Sequence, residues 1–319
     1  MRQTFYLDCD TGIDDAMALT YLLASENVDL LGIGSVSGNI SAAVGARNTL
    51  DLLALAGRSD IPVAVGEHDF LTAPFRGGAT HVHGDNGIGG VDLPRSSEEP
   101  VNESAAEMIV RLARERPGEL HIVAIGPLTN LAVALQREPK LPELVKEVTI
   151  MGGAALVPGN VTPVAEANIH NDPEAAAAVF AASWFITMVP LDATMASLIE
   201  ADDRDMLESS DLPVANAIGE MLNTYFDFYV QFFGRRTSAL HDPLAAAIAV
   251  GDVRLSEAPV VHIEIDTTQG PGRGQTICEL RGRFLGHPEQ PGARCRVVLS
   301  IDDDFTPKLV KAILSVGAN

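Results

Sequence analysis

Cysteine is scarce in this sequence, with three residues in a chain of 319. Cys9, Cys278 and Cys295 are too few for a disulfide framework, and no two of them form the Cys-x-x-Cys pair typical of structural zinc or a redox couple. Small buried side chains in a reducing compartment account for them best. We therefore predict a cytoplasmic protein that folds without disulfides.

Positive charge is also sparse, because 22 Lys and Arg residues stand against 43 Asp and Glu residues, a net charge of −21. A field of this sign repels phosphate backbones. We therefore predict no nucleic-acid partner. The same field favours solubility and attracts cations.

Long apolar runs are missing as well. No uncharged stretch approaches the roughly 20 residues of a membrane helix. The first ten residues, MRQTFYLDCD, reach an acid at Asp8 and lack the apolar core of a signal peptide. We expect no membrane partner. Hydrophobic residues still make up 46% of the chain, an ordinary value for a globular protein.

Apolar runs of strand length alternate with amphipathic stretches of helical length, which predicts an α/β fold with an open, mostly parallel sheet flanked by helices. No repeat, low-complexity tract or Pro/Ser-rich linker interrupts this order, so we predict a single domain over residues 1–319. The predicted strands are Thr4–Asp8, Leu30–Val36, His121–Ile125, Val148–Met151, Phe185–Val189, Val260–Ile265 and Arg296–Ile301. The predicted helices are Asp14–Ala24, Ser41–Leu55, an Ala/Leu-rich helix after Asn130, Pro173–Ala182, Pro213–Phe232, Pro243–Val250 and Thr306–Leu314.

Three stretches rich in Gly, Pro, Asn and His resist this alternation: Phe70–Pro100, Ala154–Asn171 and Gly270–Gly274. Loops longer than about 12–15 residues are uncommon in compact domains and are often functional. Ligands of open α/β sheets bind outside the carboxyl ends of the strands. We therefore expect the first two loops to cover a crevice at that edge.

The sharpest local signal is a group of four acids, Asp8, Asp10, Asp14 and Asp15, at the turn from the first strand to the first helix. No Lys or Arg occurs between Arg2 and Arg47 to offset them. Acids in the first turn of a helix gain about 0.3–1 kcal/mol from the helix dipole, which explains one or two of the four. Carboxylates crowded together raise one another's pKa or require a cation. The group therefore predicts a site for a hard cation such as Ca²⁺ or Mg²⁺.

The tripeptide His241-Asp242-Pro243 is the second signal. Proline suits the first turn of a helix, so Asp242 has a simple interpretation as a helix cap. The acid cluster, however, needs another oxygen ligand. A histidine is also the residue type that donates a proton near neutral pH.

A third signal is the loop that carries Asn160, Glu166 and Asn168, followed by Asp172-Pro173. The three loop side chains offer donors and acceptors suited to sugar hydroxyls, although Asn and Glu in a loop are also common turn formers. Asp172 is interpreted as the N-cap of a helix that starts with proline, without a chemical role.

These motifs together resemble the inosine/uridine-preferring nucleoside hydrolases. The matching segments occur in the family's order over residues 5–250. They are DCDTGIDDAMAL, SGN at Ser37–Asn39, HGDNGIGG at His83–Gly90, IGPLTN, MGG, NVTPVAEANIHNDPEAA and HDP. The resemblance implies a Rossmann-like nucleoside hydrolase fold. It also implies a glycosidase that cleaves the N-glycosidic bond of a ribonucleoside with a water activated by Ca²⁺, giving free base and ribose.

The resemblance also implies a role for individual residues. The metal ligands would be the carboxylates of Asp10, Asp15 and Asp242 and the main-chain carbonyl of Ile125. Asp10 would accept a proton from the attacking water, and His241 would lie near the leaving base. The substrate-binding residues would be Asp14, Asn39, His83, Met151, Asn160, Glu166 and Asn168. The family forms dimers or tetramers, which implies a homodimer or homotetramer here.

One position departs from the family pattern: Ala167 stands where an aromatic residue is common, which puts the base preference in doubt. Phe70, Phe75, Tyr225, Phe226, Phe228 and Tyr229 are aromatic candidates for the pocket wall, although the spacing over residues 225–233 is more typical of helix packing. For His83, the simple interpretation is exposure to solvent in a glycine-rich loop.

Two other functions fit the same acids. The first is a Mg²⁺-dependent phosphohydrolase, because Asp8-x-Asp10 resembles the DxDx(T/V) loop of haloacid-dehalogenase-like phosphatases. Gly12 at the fifth position and the lack of a nearby basic residue argue against it. The second is a non-catalytic protein that binds a nucleoside or calcium.

Overall fold

Strands and helices alternate along residues 2–317, the part of the chain that the computed structural model describes. The strands are β1 (Gln3–Cys9), β2 (Val28–Ser35), β3 (Val63–Val65), β4 (Leu120–Ala124), β5 (Val145–Met151), β6 (Ile186–Val189), β7 (Leu198–Glu200), β8 (Thr237–Ala239), β9 (Leu255–Glu257), β10 (Val260–Val261), β11 (Ile263–Ile265), β12 (Thr276–Cys278), β13 (Cys295–Val297) and β14 (Ser300–Ile301). The helices are α1 (Ile13–Ala24), α2 (Ala42–Leu55), α3 (Thr80–His83), α4 (Ala105–Glu115), α5 (Thr129–Arg137), α6 (Leu141–Leu144), α7 (Ala167–Asn171), α8 (Pro173–Ala181), α9 (Leu191–Thr194), α10 (Ala201–Glu208), α11 (Pro213–Phe233), α12 (His241–Val250) and α13 (Thr306–Ile313).

Eight strands form one sheet in the order β10-β13-β6-β5-β4-β1-β2-β3. All neighbours are parallel except β10, which runs antiparallel to β13. This confirms the predicted open, mostly parallel sheet. The chain passes from β1 to β2 and β3 on one side and returns at β4 on the other side of β1. Such a reversal opens a crevice at the carboxyl ends of the strands.

Both faces of the sheet are covered, which explains why its central strand is apolar almost throughout. In β1, Phe5 and Leu7 pack into the core on one face, with residues of α1 and α12, while Tyr6 packs into the core on the other face, with residues of α4 and α5. Gln3 is the one exposed residue of β1. Two hydrophobic layers therefore hold β1 in place and fix the position of the acids that follow it.

Two of the predicted strands are wrong in extent. Val260–Ile265 divides at His262, where β10 stays in the main sheet and β11 pairs with β12 in a separate hairpin. Arg296–Ile301 divides in the same way, because β14 leaves the main sheet and pairs with β9. Apolar residues resume directly after His262 and continue without interruption after Val297, so the residue pattern carries no sign that the chain changes partner.

The long loops lie largely as expected, with short helices inside them. Phe70–Pro100 contains α3, and Ala154–Asn171 ends in α7. The main sheet takes strands from residue 3 to residue 297, and the predicted extent of one domain over 1–319 stays a prediction, since Met1, Ala318 and Asn319 lie outside the described residues. None of the helices within 2–317 combines the length and the apolar character needed to cross a bilayer.

Candidate active site

Strand ends place much of the site. Asp10 follows β1, Asn39 lies in the turn after β2, Ile125 follows β4 and Met151 is the last residue of β5. The carboxyl ends of parallel neighbours lie at one edge of a sheet, so these residues lie side by side. The site therefore occupies the crevice made by the reversal in strand order.

Hydrogen bonds at the start of α1 fix the position of Asp15. Gly12 is the N-cap, and Asp15 accepts hydrogen bonds from the backbone N–H groups of Gly12 (2.8 Å) and Asp10 (3.1 Å). A Cβ on Gly12 would lie 2.6 Å from Nδ1 of His83, so a side chain has no room there. Asp15 therefore does stabilise the start of the helix, as acids in a first turn commonly do. Its Oδ2 also accepts a hydrogen bond from the side chain of Asn39 at 3.2 Å.

Asp10 lies in a tight backbone cradle. Its Oδ2 accepts from the backbone N–H of Asn39 at 2.6 Å, whereas its buried Oδ1 has no hydrogen-bond partner. A Cβ on Gly38 would lie 2.1 Å from Oδ2, and one on Gly126 would lie 2.8 Å from Oδ1. These two glycines therefore make the space that the carboxylate occupies.

Three carboxylates converge beside Asp10. Oxygen atoms of Asp14, Asp15 and Asp242 lie within 4.8 Å of one another, and all three residues are buried. Asp242 sits inside the first turn of α12, whose N-cap is Leu240, so the cap interpretation of Asp242 is wrong. The structure thus brings the two acidic signals of the sequence into one cluster.

Burial raises the pKa of every acid in this cluster. The pKa of Asp15 rises to about 7, and the pKa values of Asp10 and Asp242 lie well above their usual range, with repulsion between the acids adding to the effect of desolvation. No Lys or Arg lines the adjoining cavity within residues 2–317. A bound cation would remove this conflict, and the all-oxygen donors suit a hard ion such as Ca²⁺ or Mg²⁺.

The cavity above the cluster encloses about 160 Å³. Asp10 and Asp15 are not among the residues that line it, although Asp15 lies against the lining residues Asp14 and Asp242. The other ten residues of the predicted site line the cavity: Asp14, Asn39, His83, Ile125, Met151, Asn160, Glu166, Asn168, His241 and Asp242. The structure therefore assembles the predicted set, while the role of each member stays a prediction.

The 160–168 loop combines binding groups with structural bonds. Glu166 caps α7, and its carboxylate accepts from the backbone N–H groups of Asn168 (2.9 Å) and Gly153 (2.9 Å). Burial raises the pKa of Glu166 to about 7. The side chain of Asn168 donates to the carbonyls of Ile125 (2.8 Å) and Met151 (3.1 Å). The turn-forming interpretation thus also applies to these residues, and it fixes their position in the cavity.

His83 is buried, with 5% of its surface exposed, so the interpretation as a solvent-exposed loop residue is wrong. Its Nδ1 accepts a hydrogen bond from the backbone N–H of Ile13 at 3.1 Å, which places the proton of the neutral ring on Nε2. Burial lowers the pKa of His83 to about 3. His83 is therefore a neutral hydrogen-bond donor on the cavity wall.

Both ring nitrogens of His241 already have partners. Nδ1 lies 2.7 Å from Oγ1 of Thr194, and Nε2 lies 2.6 Å from the hydroxyl of Tyr229. Burial lowers the pKa of His241, and the charge of Asp14 opposes that shift. Tyr229 lines the cavity as His241 does, so its hydroxyl links Nε2 of His241 to the cavity.

Tyr225 and Tyr229 are part of the site although helical spacing favours a packing role for them. The hydroxyl of Tyr225 donates to Asp14 Oδ2 at 2.9 Å. Their separation of one helical turn in α11 was the available signal, because it puts both hydroxyls on one face. Phe228 and Phe232 line the cavity, whereas Phe226 is fully buried in the core. Phe70 and Phe75 pack against each other in their own loop.

The fold and the site together define an α/β enzyme whose carboxylate-lined pocket opens at the carboxyl edge of a parallel sheet. The chain belongs to the inosine-uridine preferring nucleoside hydrolase family, whose family model matches residues 5–307. This confirms the family resemblance of the sequence motifs.

Individual relatives agree on the family and differ in the base that their names give. A probable uridine nucleosidase 2 of Arabidopsis thaliana is 41% identical over 243 residues, covering 76% of each chain. A pyrimidine-specific ribonucleoside hydrolase of Citrobacter koseri is 38% identical over 246 residues, 75% of this chain and 77% of the relative. The solved structure of a purine-preferring ribonucleoside hydrolase from Gardnerella vaginalis has a TM-score of 0.91 at 30% identity, with 98% of each chain covered.

Proposed function

We propose that this protein hydrolyses the N-glycosidic bond of ribonucleosides to free base and ribose. The observation that carries the proposal is the buried group of Asp10, Asp14, Asp15 and Asp242 beneath a cavity that no Lys or Arg of residues 2–317 lines. C1′–N cleavage develops positive charge on the sugar, which such carboxylates stabilise. Membership of the nucleoside hydrolase family supports the same reaction.

The proposed cofactor is Ca²⁺, held by the carboxylates of Asp10, Asp15 and Asp242 and the carbonyl of Ile125. The donor set fits: Oδ1 of the proposed ligand Asp10 is buried without a hydrogen-bond partner, and all four proposed donors are hard oxygens. When bound, the ion supplies a charge that orients the vicinal hydroxyls and lowers the pKa of a water.

The chain's own residues do the remaining work at the sugar. Asp14, Asn39 and Asn168 bind the ribose hydroxyls, and Asn160 and Glu166 bind near the 5′-hydroxyl. Asp10 accepts a proton from the attacking water through its free Oδ1, and the hydroxide oxygen bonds to C1′ as the bond to the base breaks. Met151 packs against the apolar side of the sugar.

The departing base needs a proton on the nitrogen that leaves C1′. We assign this donation to the protonated form of His241: its Nε2 proton passes to the hydroxyl oxygen of Tyr229, 2.6 Å away, as the phenol proton moves to the leaving nitrogen. Burial raises the pKa of Tyr229, so the phenol stays protonated until its proton moves to the leaving nucleobase. His83, as a neutral donor, binds the base.

The proposal also covers the oligomeric state and the cellular location of the protein. The protein assembles as a homodimer or homotetramer, which light scattering after gel filtration measures. It works in the cytoplasm, where its three free thiols stay reduced, and cell fractionation tests this location.

The direct test incubates the purified protein with inosine, uridine, cytidine and adenosine and records the reducing sugar released from each. Asp10→Asn is the control, since it keeps the size of the side chain and removes the base. Release of sugar by the wild type alone supports the proposal.

The alternatives give different results in the same assay. Phosphate release from p-nitrophenyl phosphate, without sugar release, would identify a phosphohydrolase, and binding of nucleoside without turnover would identify a binding protein. Either outcome would overturn the proposed reaction.

A further inference from the structure

Two residues of the sequence motifs have no part in the cavity. Asp8 is the first of the four clustered acids, and Asn130 is the last residue of the IGPLTN segment. Asp8 is 1% exposed and Asn130 is 0% exposed. Neither is among the residues that line the cavity, so the proposed reaction leaves both unexplained.

The side chain of Asn130 is fully occupied by hydrogen bonds. Its amide nitrogen donates to Asp8 Oδ1 (2.8 Å), to Asp8 Oδ2 (3.2 Å) and to the carbonyl of Ser35 (3.1 Å). Its Oδ1 accepts from the backbone N–H of Glu67 at 2.8 Å. A Cβ on Gly66 would lie 2.2 Å from Oδ1, so the chain approaches Asn130 as closely as a glycine allows.

Asn130 and its three partners lie in or just after four neighbouring strands of the sheet. Asp8 is in β1, Ser35 ends β2, Glu67 follows β3, and Asn130 itself lies in the first turn of α5, after β4. A single side chain therefore ties together the carboxyl ends of β1, β2, β3 and β4. That edge is where the proposed cation ligands are attached.

The backbone extends the same connection to a proposed ligand. The N–H of Ile125, whose own carbonyl is a proposed cation ligand, donates to the carbonyl of Asp8 at 2.8 Å. Asp10 follows Asp8 by two residues. The contact between Asp8 and the β4–α5 segment thus sets the separation between the Asp10 carboxylate and the Ile125 carbonyl.

We propose that Asp8 and Asn130 are positioning residues for the cation site, holding the ligands of β1 and β4 at the spacing that Ca²⁺ requires. This inference rests on the calcium site of the proposed function. Groups that orient metal ligands typically change metal affinity by about 10–100-fold when they are removed. The negative charge of Asp8 is not itself the contribution, because its oxygens are turned to Asn130.

The experiment measures Ca²⁺ affinity by titration calorimetry on full-length protein stripped with a chelator, together with the melting temperature of the metal-free protein. We expect Asn130→Ala and Asp8→Ala to bind Ca²⁺ about 10–100-fold more weakly than the wild type. Asp8→Asn keeps an acceptor for the Asn130 amide, so its affinity should stay within about threefold of the wild-type value.

The matched control is Asp172→Ala. Asp172 is also 1% exposed and accepts from Thr129 Oγ1 (2.8 Å) and the backbone N–H of Leu71 (2.9 Å), beside the same helix α5. It makes no bond to Asp8, Ser35 or Glu67. We expect this variant to lower the melting temperature without weakening Ca²⁺ binding.

Several outcomes would overturn the positioning role. Unchanged Ca²⁺ affinity in Asn130→Ala would do so, as would equal weakening in Asp172→Ala, which would indicate a general loss of stability. A large loss in Asp8→Asn would show that the charge of Asp8 acts on the ion directly. If Asn130→Ala does not fold, Asn130→Ser and Asp8→Ala decide the question. Failure of the wild type to bind Ca²⁺ would overturn the calcium site itself and this inference with it.

Discussion

Carboxylates in two regions of this molecule have opposite surroundings. Outside the cavity, the partly buried Glu174 forms a two-pronged pair with Arg273, both contacts at 2.8 Å, and this pair lowers the pKa of Glu174. In the buried acid cluster, Asp15 has no Lys or Arg paired with it within residues 2–317, and burial raises its pKa to about 7. The same chemical group is therefore stabilised as an anion in one region and destabilised as an anion in the other.

The difference shows where the chain uses its few positive charges. The ion pairs within residues 2–317 involve Arg residues such as Arg111, Arg114 and Arg273, all outside the cavity. A surface pair contributes about 0–1 kcal/mol, so these acids matter little individually. Buried carboxylates without a cationic partner oppose folding. We infer that they are present because the reaction and its cation need them.

Removing the general base, Asp10, should have the largest effect on turnover. Asp10→Ala eliminates the free Oδ1 in its glycine cradle, so we expect turnover of inosine or uridine to fall by more than the ~10²–10⁴-fold typical of a lost general base, because cation binding is disturbed as well. Sugar release and calcium content measure the two effects. A loss below tenfold with calcium retained would remove Asp10 from this role.

Changing the proton donor should separate substrates by their leaving group. We expect His241→Ala to slow inosine hydrolysis by roughly 10²–10⁴-fold and to have little effect on p-nitrophenyl riboside, whose leaving group needs no proton. Tyr229→Phe should give the same split, because its hydroxyl lies between His241 and the cavity. Equal slowing of both substrates would mean that His241 positions the sugar or supports Asp242.

The pH dependence of stability should reveal the buried acids. Unfolded Asp and Glu have pKa values near 3.9 and 4.3, whereas folding without metal raises the pKa values of Asp15 and Glu166 to about 7. Between these limits the folded state binds more protons than the unfolded state, so stability falls as pH rises from about 4 to about 7.

Melting curves of chelator-treated protein at pH 5 and pH 8 test this sign. We expect a lower melting temperature at pH 8, and a larger gain on adding Ca²⁺ at pH 8 than at pH 5, since the ion binds the charged carboxylates. A Ca²⁺ concentration of 100 times Kd should stabilise the protein by about 2.7 kcal/mol. Equal gains at both pH values would contradict the uncompensated charge of the cluster.

Breaking a surface pair should have the smallest effect. Arg114 pairs with Glu138 on the outside of the molecule. We expect Arg114→Ala to change the free energy of unfolding by about 1 kcal/mol or less and to leave sugar release unchanged. Chemical denaturation and the nucleoside assay measure both quantities, and a tenfold loss of activity would show that the two regions are coupled.

Much of the fold was predictable because the local patterns are strong. The run Thr4–Asp8 and the acids after it correctly located β1 and the start of α1, and Asp172-Pro173 correctly predicted a capped helix start. Short elements such as β3 (Val63–Val65) have too few residues to show a period. The breaks at His262 and after Val297 depend on which strand pairs with which, and no local pattern records this.

The sequence by itself determined the chemistry available: clustered acids without a local cation, a histidine beside a further acid, and the family to which they belong. Only the tertiary structure decided which groups meet. Asn130 reaches Asp8 across 122 residues, Tyr225 reaches Asp14 across 211, and Thr194 reaches His241 across 47. Such contacts arise from the strand order and helix packing of the whole chain, so they leave no period or spacing in the sequence for local reasoning to detect.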